Sequence, residues 1–243
     1  MSLRTRTVLL ALGLLLTAAC SAHNDSDGAS VSAPAGSSGK ATAGKPGAFT
    51  EGKQYARIAA AGPAAKGPVV LVEVFSYACP HCAEFAPYMD KLRAALPKDV
   101  QVRYKPAIFN ESWEPYARAF YAAQQLGVLE QTHDALFKAM EEHYPLNSLD
   151  DLAAFYARHG AAQDKFLAAA NSPQTDAALK ADQSVEQGWG IDATPTLVVG
   201  HLQGDAPDAA IVADYRSAEV DSYAQLAELG GWLVKKEEDA SAH

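Results

Sequence analysis

Val69-Val70-Leu71-Val72-Glu73-Val74-Phe75-Ser76-Tyr77-Ala78-Cys79-Pro80-His81-Cys82 decides the fold of this 243-residue chain. Its first seven residues are apolar except Glu73, the signature of a strand buried on both faces in a parallel sheet. Beyond the cysteines, Cys82, Phe85, Ala86, Met89, Leu92 and Leu96 recur at helical spacing and predict an amphipathic helix to about Leu96. Val100 to Phe109 alternates and reads as the next strand. Strand, helix, strand forms a right-handed parallel unit, so Cys79 stands where a strand ends and a helix begins.

That position predicts redox chemistry. Unpaired N–H groups and the positive end of the helix dipole favour a thiolate, and His81 adds a donor or a charge. In such settings a thiol pKa falls from about 8.5 to between about 3.5 and 7.5. A stabilised thiolate stabilises the reduced pair, so the disulfide tends to accept electrons. Cys82, one turn into the helix on its apolar face, is the shielded partner that resolves a mixed disulfide formed at Cys79. A zinc site needs about four ligands; no second cysteine pair exists, and His133, His143, His159 and His201 have no ligand spacing, so no metal is expected.

Phe75-Ser76-Tyr77-Ala78-Cys79-Pro80-His81-Cys82 resembles the active-site segment of the thioredoxin superfamily, and the Pro80-His81 dipeptide resembles its DsbA-type thiol oxidases. Pro87 matches the proline that bends the active-site helix, and its missing donor inside a helical pattern predicts a bend independently. The resemblance implies an α/β class: a thioredoxin-like fold with an inserted all-helical domain, over roughly Phe49 to Lys236. Ala193-Thr194-Pro195-Thr196 matches the family's cis-proline loop. A cis Pro195 facing the cysteines leaves the Thr194 main chain free to pair with a substrate strand; the alternative is a trans proline guarding a sheet edge. Glu73 matches a buried family acid that exchanges a proton with Cys82, its pKa raised by desolvation. The alternative is an exposed Glu73, or one paired with Lys105 on the neighbouring strand. Tyr77 is the aromatic residue best placed to offer substrates an apolar surface.

The expected organisation places the thioredoxin-like domain at 51–111 and 189–238, and the helical domain at 112–188. From Glu114 to Gly188 the pattern is helical, broken at Gly127, Pro145, Gly160 and Pro173, which fits four or five helices. Ser148 followed by Asp151 is a capping signature. A first strand is expected at Tyr55–Ala60, later strands at Thr194–Val199 and Ala210–Tyr215, and a final helix at about Asp221–Lys236.

The first 20 residues read as an export signal, with Arg4 and Arg6 ahead of the apolar run Val8–Leu16, too short to span a bilayer comfortably. Leu16-Thr17-Ala18-Ala19-Cys20 resembles a lipobox, although Thr17 stands where Leu is more usual. Lipidation of Cys20 is expected over plain cleavage, which leaves an unpaired thiol beside an oxidant. Residues 21–50 contain 22 Gly, Ser, Ala, Pro or Thr and read as a flexible tether. Without the signal the chain carries 18 basic and 29 acidic side chains, and no basic stripe or phosphate loop suggests nucleic acid.

These features predict a periplasmic, lipid-anchored protein dithiol oxidase, its membrane leaflet open. It is expected to donate the Cys79–Cys82 disulfide to reduced, unfolded exported proteins, with no separate cofactor. The resemblance implies reoxidation by a DsbB-type membrane oxidase. Residues 21–50 offer no dimerisation domain, so a monomer is expected. Two alternatives remain: a periplasmic reductase or isomerase, and a non-catalytic lipoprotein that binds unfolded chains.

Overall fold

The strand Val69–Phe75 (β2) is an interior strand because both its faces are apolar. In the computed structural model, which describes residues 49–58, 67–204, 206 and 209–241, all seven of its residues are buried. The export signal, Cys20 and nearly all of the tether expected at 21–50 lie outside the described residues. Around β2 a five-stranded mixed sheet forms with Tyr55–Arg57 (β1), Gln101–Pro106 (β3), Thr196–Leu202 (β4) and Ile211–Ser217 (β5), in the order β1-β5-β4-β2-β3. Only β2 and β3 run parallel; the other pairs are antiparallel.

Alternate residues of β2 enter different layers, as the two-residue period of a strand requires. Val70, Val72 and Val74 meet Val198, Leu202 and Trp189 on one face. Leu71 joins Phe85, Met89 and Leu92 of the helix Pro80–Ala95 (α1), and Leu226, Leu229 and Leu233 of the C-terminal helix, on the other. Each such aliphatic or aromatic side chain, fully buried, contributes about 1.5–3 kcal/mol. Pro87 lies inside α1 and cannot supply the N–H that would bond one turn back.

Between β3 and β4 the chain forms a 3₁₀ turn at Glu111–Trp113 and five helices: α2 (Glu114–Gln125), α3 (Leu129–Glu141), α4 (Leu149–Arg158), α5 (Gln163–Ala170) and α6 (Pro173–Trp189). Their core, with Phe120, Leu136, Leu152, Tyr156 and Phe166, is continuous with Phe75, Tyr77, Cys79 and Cys82. Ser148 caps α4 by accepting from the Asp151 amide at 3.1 Å. Gly190 ends α6 at φ +67°, a left-handed conformation suited to glycine. The architecture is a thioredoxin fold interrupted by a helical insertion.

Several boundaries differ from those expected. β3 stops at Pro106 rather than Phe109, because Asn110 turns the chain by accepting from the Ser112 amide at 3.0 Å. β4 begins at Thr196 rather than Thr194, since Pro195 has no N–H for the ladder. The last helix, Tyr223–Ser241 (α7), extends past Lys236. β1 ends at Arg57, short of the expected Ala60; Ile58 lies outside the strand, and Ala59 and Ala60 lie outside the described residues.

Candidate active site

Cys79 is the residue immediately before α1, in extended conformation with φ −93° and ψ 113°. The turn that places it is local: the Ala78 amide bonds Ser76 Oγ at 3.2 Å, and the Cys79 amide bonds the Ser76 carbonyl at 3.1 Å. Ser76 is itself buried, a contribution that its type and position did not announce. Both Cys79 and Cys82 are free thiols in this structure.

Thr194 arrives from the other side. β2 and β4 pair antiparallel with Val74 opposite Thr196, so the chain entering β4 passes the chain leaving β2. The Thr194-Pro195 peptide is cis, and the Cys79 thiol approaches the Thr194 carbonyl oxygen at 3.5 Å. Two segments 115 residues apart thus form one sulfur environment.

The two thiols are driven in opposite directions. Cys79 is 5 % exposed, yet its pKa is lowered to about 5, chiefly by the Cys82 thiol donating to its sulfur. The Thr194 side chain and the amides of Cys82 and His81 act in the same sense, while burial opposes them. An S–H donated to a carbonyl favours the neutral thiol, so these donors outweigh the Thr194 carbonyl contact. Cys82 is fully buried, and its pKa is pushed far up, first by desolvation and then by the hydrogen bond to Cys79 and by the charges of Cys79 and Glu73. One sulfur is therefore an anion at neutral pH, and its neighbour keeps its proton.

Glu73 is 2 % exposed, and its Oε1 has no hydrogen-bond partner among the described residues. Burial raises its pKa to about 8, with Asp90, Cys79 and Asp134 adding to the shift. Lys105 does not reach it. In the β2–β3 register Glu73 faces Tyr104, whereas Lys105 lies opposite Val74 and bonds Asp182 of α6. The expected alternative pairing fails because adjacent residues of a strand point to opposite faces.

Tyr77 corrects another expectation. It is 2 % exposed, shares a 2.7 Å hydrogen bond with His133 Nδ1 of α3 and packs against Phe75 and Phe137. It therefore offers no substrate surface; it seats the active-site turn on the helical insertion. Burial, assisted by Arg93, lowers the His133 pKa to about 4, so this bond joins two neutral groups. Pro80 and His81 are exposed. His81 Nδ1 contacts the Tyr223 hydroxyl at 2.8 Å, and that hydroxyl donates to Glu84 at 2.8 Å. Neither His133 nor Tyr223 was singled out from sequence, because each lies on an apolar helix face and resembles a core residue.

The family model described as Thioredoxin matches residues 62–211. The thiol:disulfide interchange protein DsbA of Pseudomonas aeruginosa is 31 % identical over 150 residues, 61 % of this chain and 71 % of that protein. That of Azotobacter vinelandii is also 31 % identical over 150 residues, 61 % of this chain and 70 % of that protein. Among solved structures, the oxidoreductase DsbA from Xylella fastidiosa superposes with a TM-score of 0.67 at 29 % identity, covering 79 % of this chain and 98 % of that one. The Pseudomonas aeruginosa DsbA crystal structure gives a TM-score of 0.67 at 26 % identity, over 80 % and 97 % of the two chains.

Proposed function

Since the chain belongs to the thioredoxin family and, within it, to the DsbA-type thiol:disulfide oxidoreductases that oxidise substrate cysteines, we propose that it does so by transferring the Cys79–Cys82 disulfide. The observation that carries this reading is the opposed pair of thiols, Cys79 lowered to about 5 and Cys82 raised. A substrate thiolate attacks Cys79 Sγ; the Cys79–Cys82 bond breaks, and a mixed disulfide forms at Cys79. The electron pair goes to Cys82, whose high pKa draws a proton. Glu73, protonated at neutral pH, is the buried acid whose ionisation is coupled to that of Cys82, and it supplies that proton. A second substrate thiolate then attacks the substrate sulfur of the mixed disulfide and expels Cys79 as a stable thiolate. The substrate has lost two electrons, and the cysteine pair has gained them.

With a Cys79 pKa of about 5, thiolate formation at pH 7 stabilises the reduced pair by about 3 kcal/mol relative to an ordinary thiol, or roughly 60 mV. Pro80 and His81 are exposed on the first turn of α1 beside Cys79, and the Thr194 main chain at its sulfur suits pairing with an extended substrate segment. The redox group is the cysteine pair itself, with no separate cofactor. Its relatives are interchange proteins, which supports reduced, unfolded exported proteins as substrates and a DsbB-type membrane oxidase as the source of oxidising equivalents. The signal-like first 20 residues and the lipobox-like sequence ending at Cys20 support a protein in the periplasm, held to a membrane by lipid on Cys20 through a flexible tether, and the Gly-, Ser- and Ala-rich composition of residues 21–50, unlike a dimerisation domain, supports a monomer.

A redox titration in glutathione buffers, followed by tryptophan fluorescence or thiol alkylation, tests the direction of transfer. An oxidase is expected to have a potential above about −200 mV. A value at or below about −270 mV would replace this reading with a reductase.

A further inference from the structure

At the end of β4 remote from the cysteines, three side chains converge that the thiol chemistry does not use. The geometry points to a binding site for a divalent first-row cation, with zinc the best match, formed by His201 of β4, Asp214 of β5 and Glu237 of α7. Their ligand atoms all lie within 4.8 Å of one another, and among the described residues no other group of three His, Cys, Asp or Glu side chains does so. In sequence the three are separated by 13 and 23 residues, so no motif announces them; a bulged antiparallel pairing and a docked helix bring them together.

His201 is 4 % exposed and directs Nδ1 at both acids, 3.1 Å from Asp214 Oδ2 and 3.9 Å from Glu237 Oε2. Tetrahedral zinc with ligands at 2.0–2.2 Å needs donor atoms about 3.4 Å apart, a spacing these distances bracket. One imidazole nitrogen and two carboxylate oxygens are a donor set zinc accepts, with a fourth position left for water. The other ring nitrogen, Nε2, lies 3.2 Å from Ser241 Oγ. An outer hydrogen bond of this kind fixes the tautomer of a ligating histidine and leaves Nδ1 its lone pair.

Charge argues in the same direction. Two carboxylates face one imidazole, so the cluster is short of positive charge even when the ring is protonated. Glu237 is 7 % exposed; the Tyr215 hydroxyl donates to it and the charge of Arg57 reaches it, but the tyrosine brings no charge, and Arg57 pairs with Glu51 at 3.7 Å and lies over the Tyr215 ring. Buried charges without adequate partners are costly, and a divalent ion removes the deficit. Asp214 is partly exposed, so an ion has a way in from its side of the cluster. The site is roughly 20 Å along β4 from Pro195 and joins α7 to the sheet, which makes it a clamp on the fold rather than part of the exchange reaction.

The test is a zinc titration of the oxidised full-length protein against a chromogenic zinc indicator, because in that form Cys79 and Cys82 offer no thiolate. One high-affinity equivalent is expected, weakened about ten-fold or more in His201→Ala and Glu237→Gln and less in Ser241→Ala. At zinc a hundred-fold above Kd the melting temperature rises by about 5–10 °C, and the redox potential of the cysteine pair does not move. Should His201→Ala fail to fold, the isosteric Glu237→Gln decides. The site is refuted if the wild type takes up no zinc at millimolar concentration, if Glu237→Gln binds as tightly as the wild type, or if zinc shifts the redox potential and so sits at the cysteines.

Discussion

A carboxyl group inside an otherwise apolar strand lowers stability whenever it ionises, and Glu73 is placed where ionisation has no compensation. Its folded pKa of about 8 exceeds the ordinary 4.5, so the folded chain keeps a proton that the unfolded chain has released. Stability from this group is complete below pH 4.5 and is lost as pH rises through 8. At pH 7 the loss is about 3 kcal/mol. Glu73→Gln, which keeps the shape and cannot ionise, should therefore be more stable than the wild type by about that amount at pH 7. The difference should vanish towards pH 4.5 in urea denaturation across that range. The same variant should slow disulfide transfer to a reduced peptide, since Cys82 loses its proton source. Equal stability at every pH would return Glu73 to an ordinary surface acid.

Ser148 illustrates local information at the scale of an element. Its Oγ accepts from the Asp151 amide at 3.1 Å and donates to the Asp151 carboxylate at 2.7 Å, which closes the first turn of α4. Ser148→Ala should cost about 1 kcal/mol, within the usual 0.5–2 for a lost N-cap, read as a lowered urea midpoint with unchanged slope. This cap was legible in sequence because donor and acceptor lie three residues apart. The same holds for the helix breaks at Gly127 and Gly160, for the fully apolar β2, and for Cys79 at the start of α1, each set by neighbours along the chain. Tyr77 was misjudged because what buries it, His133, is 56 residues away on a different element. The alternative partner for Glu73, Lys105, falls away because a difference of one position in strand register exchanges the two faces of the sheet. The convergence of His201, Asp214 and Glu237 was invisible for the same reason: only the β4–β5 pairing and the docking of α7 create it.

For the whole molecule, redox state and stability are linked through Cys79. Its folded pKa of about 5 lies below the value near 9 of an unfolded thiol, so the reduced protein gains stability as pH rises from 5 towards 9 and loses that gain as pH falls through 5. Cys82 stays protonated in the reduced protein up to pH 8, folded or unfolded, and adds no slope there. The oxidised protein has no titrating thiol at either position. The stability of the reduced form relative to the oxidised form should therefore grow by about 1.4 kcal/mol per pH unit between about pH 5 and 8. Urea denaturation with and without reductant measures it, and a gap independent of pH would contradict the low Cys79 pKa.

The strand order has a consequence for synthesis. β2 is flanked by β3, which follows after one helix, and by β4, which the ribosome makes about 120 residues later. A nascent chain ending within α6 already carries both sulfurs, but it lacks the Thr194 backbone and the strand that closes over Glu73. The reagent is thus completed only near the end of translation, when β4 pairs with the β2 edge that has waited open since the first strands were made.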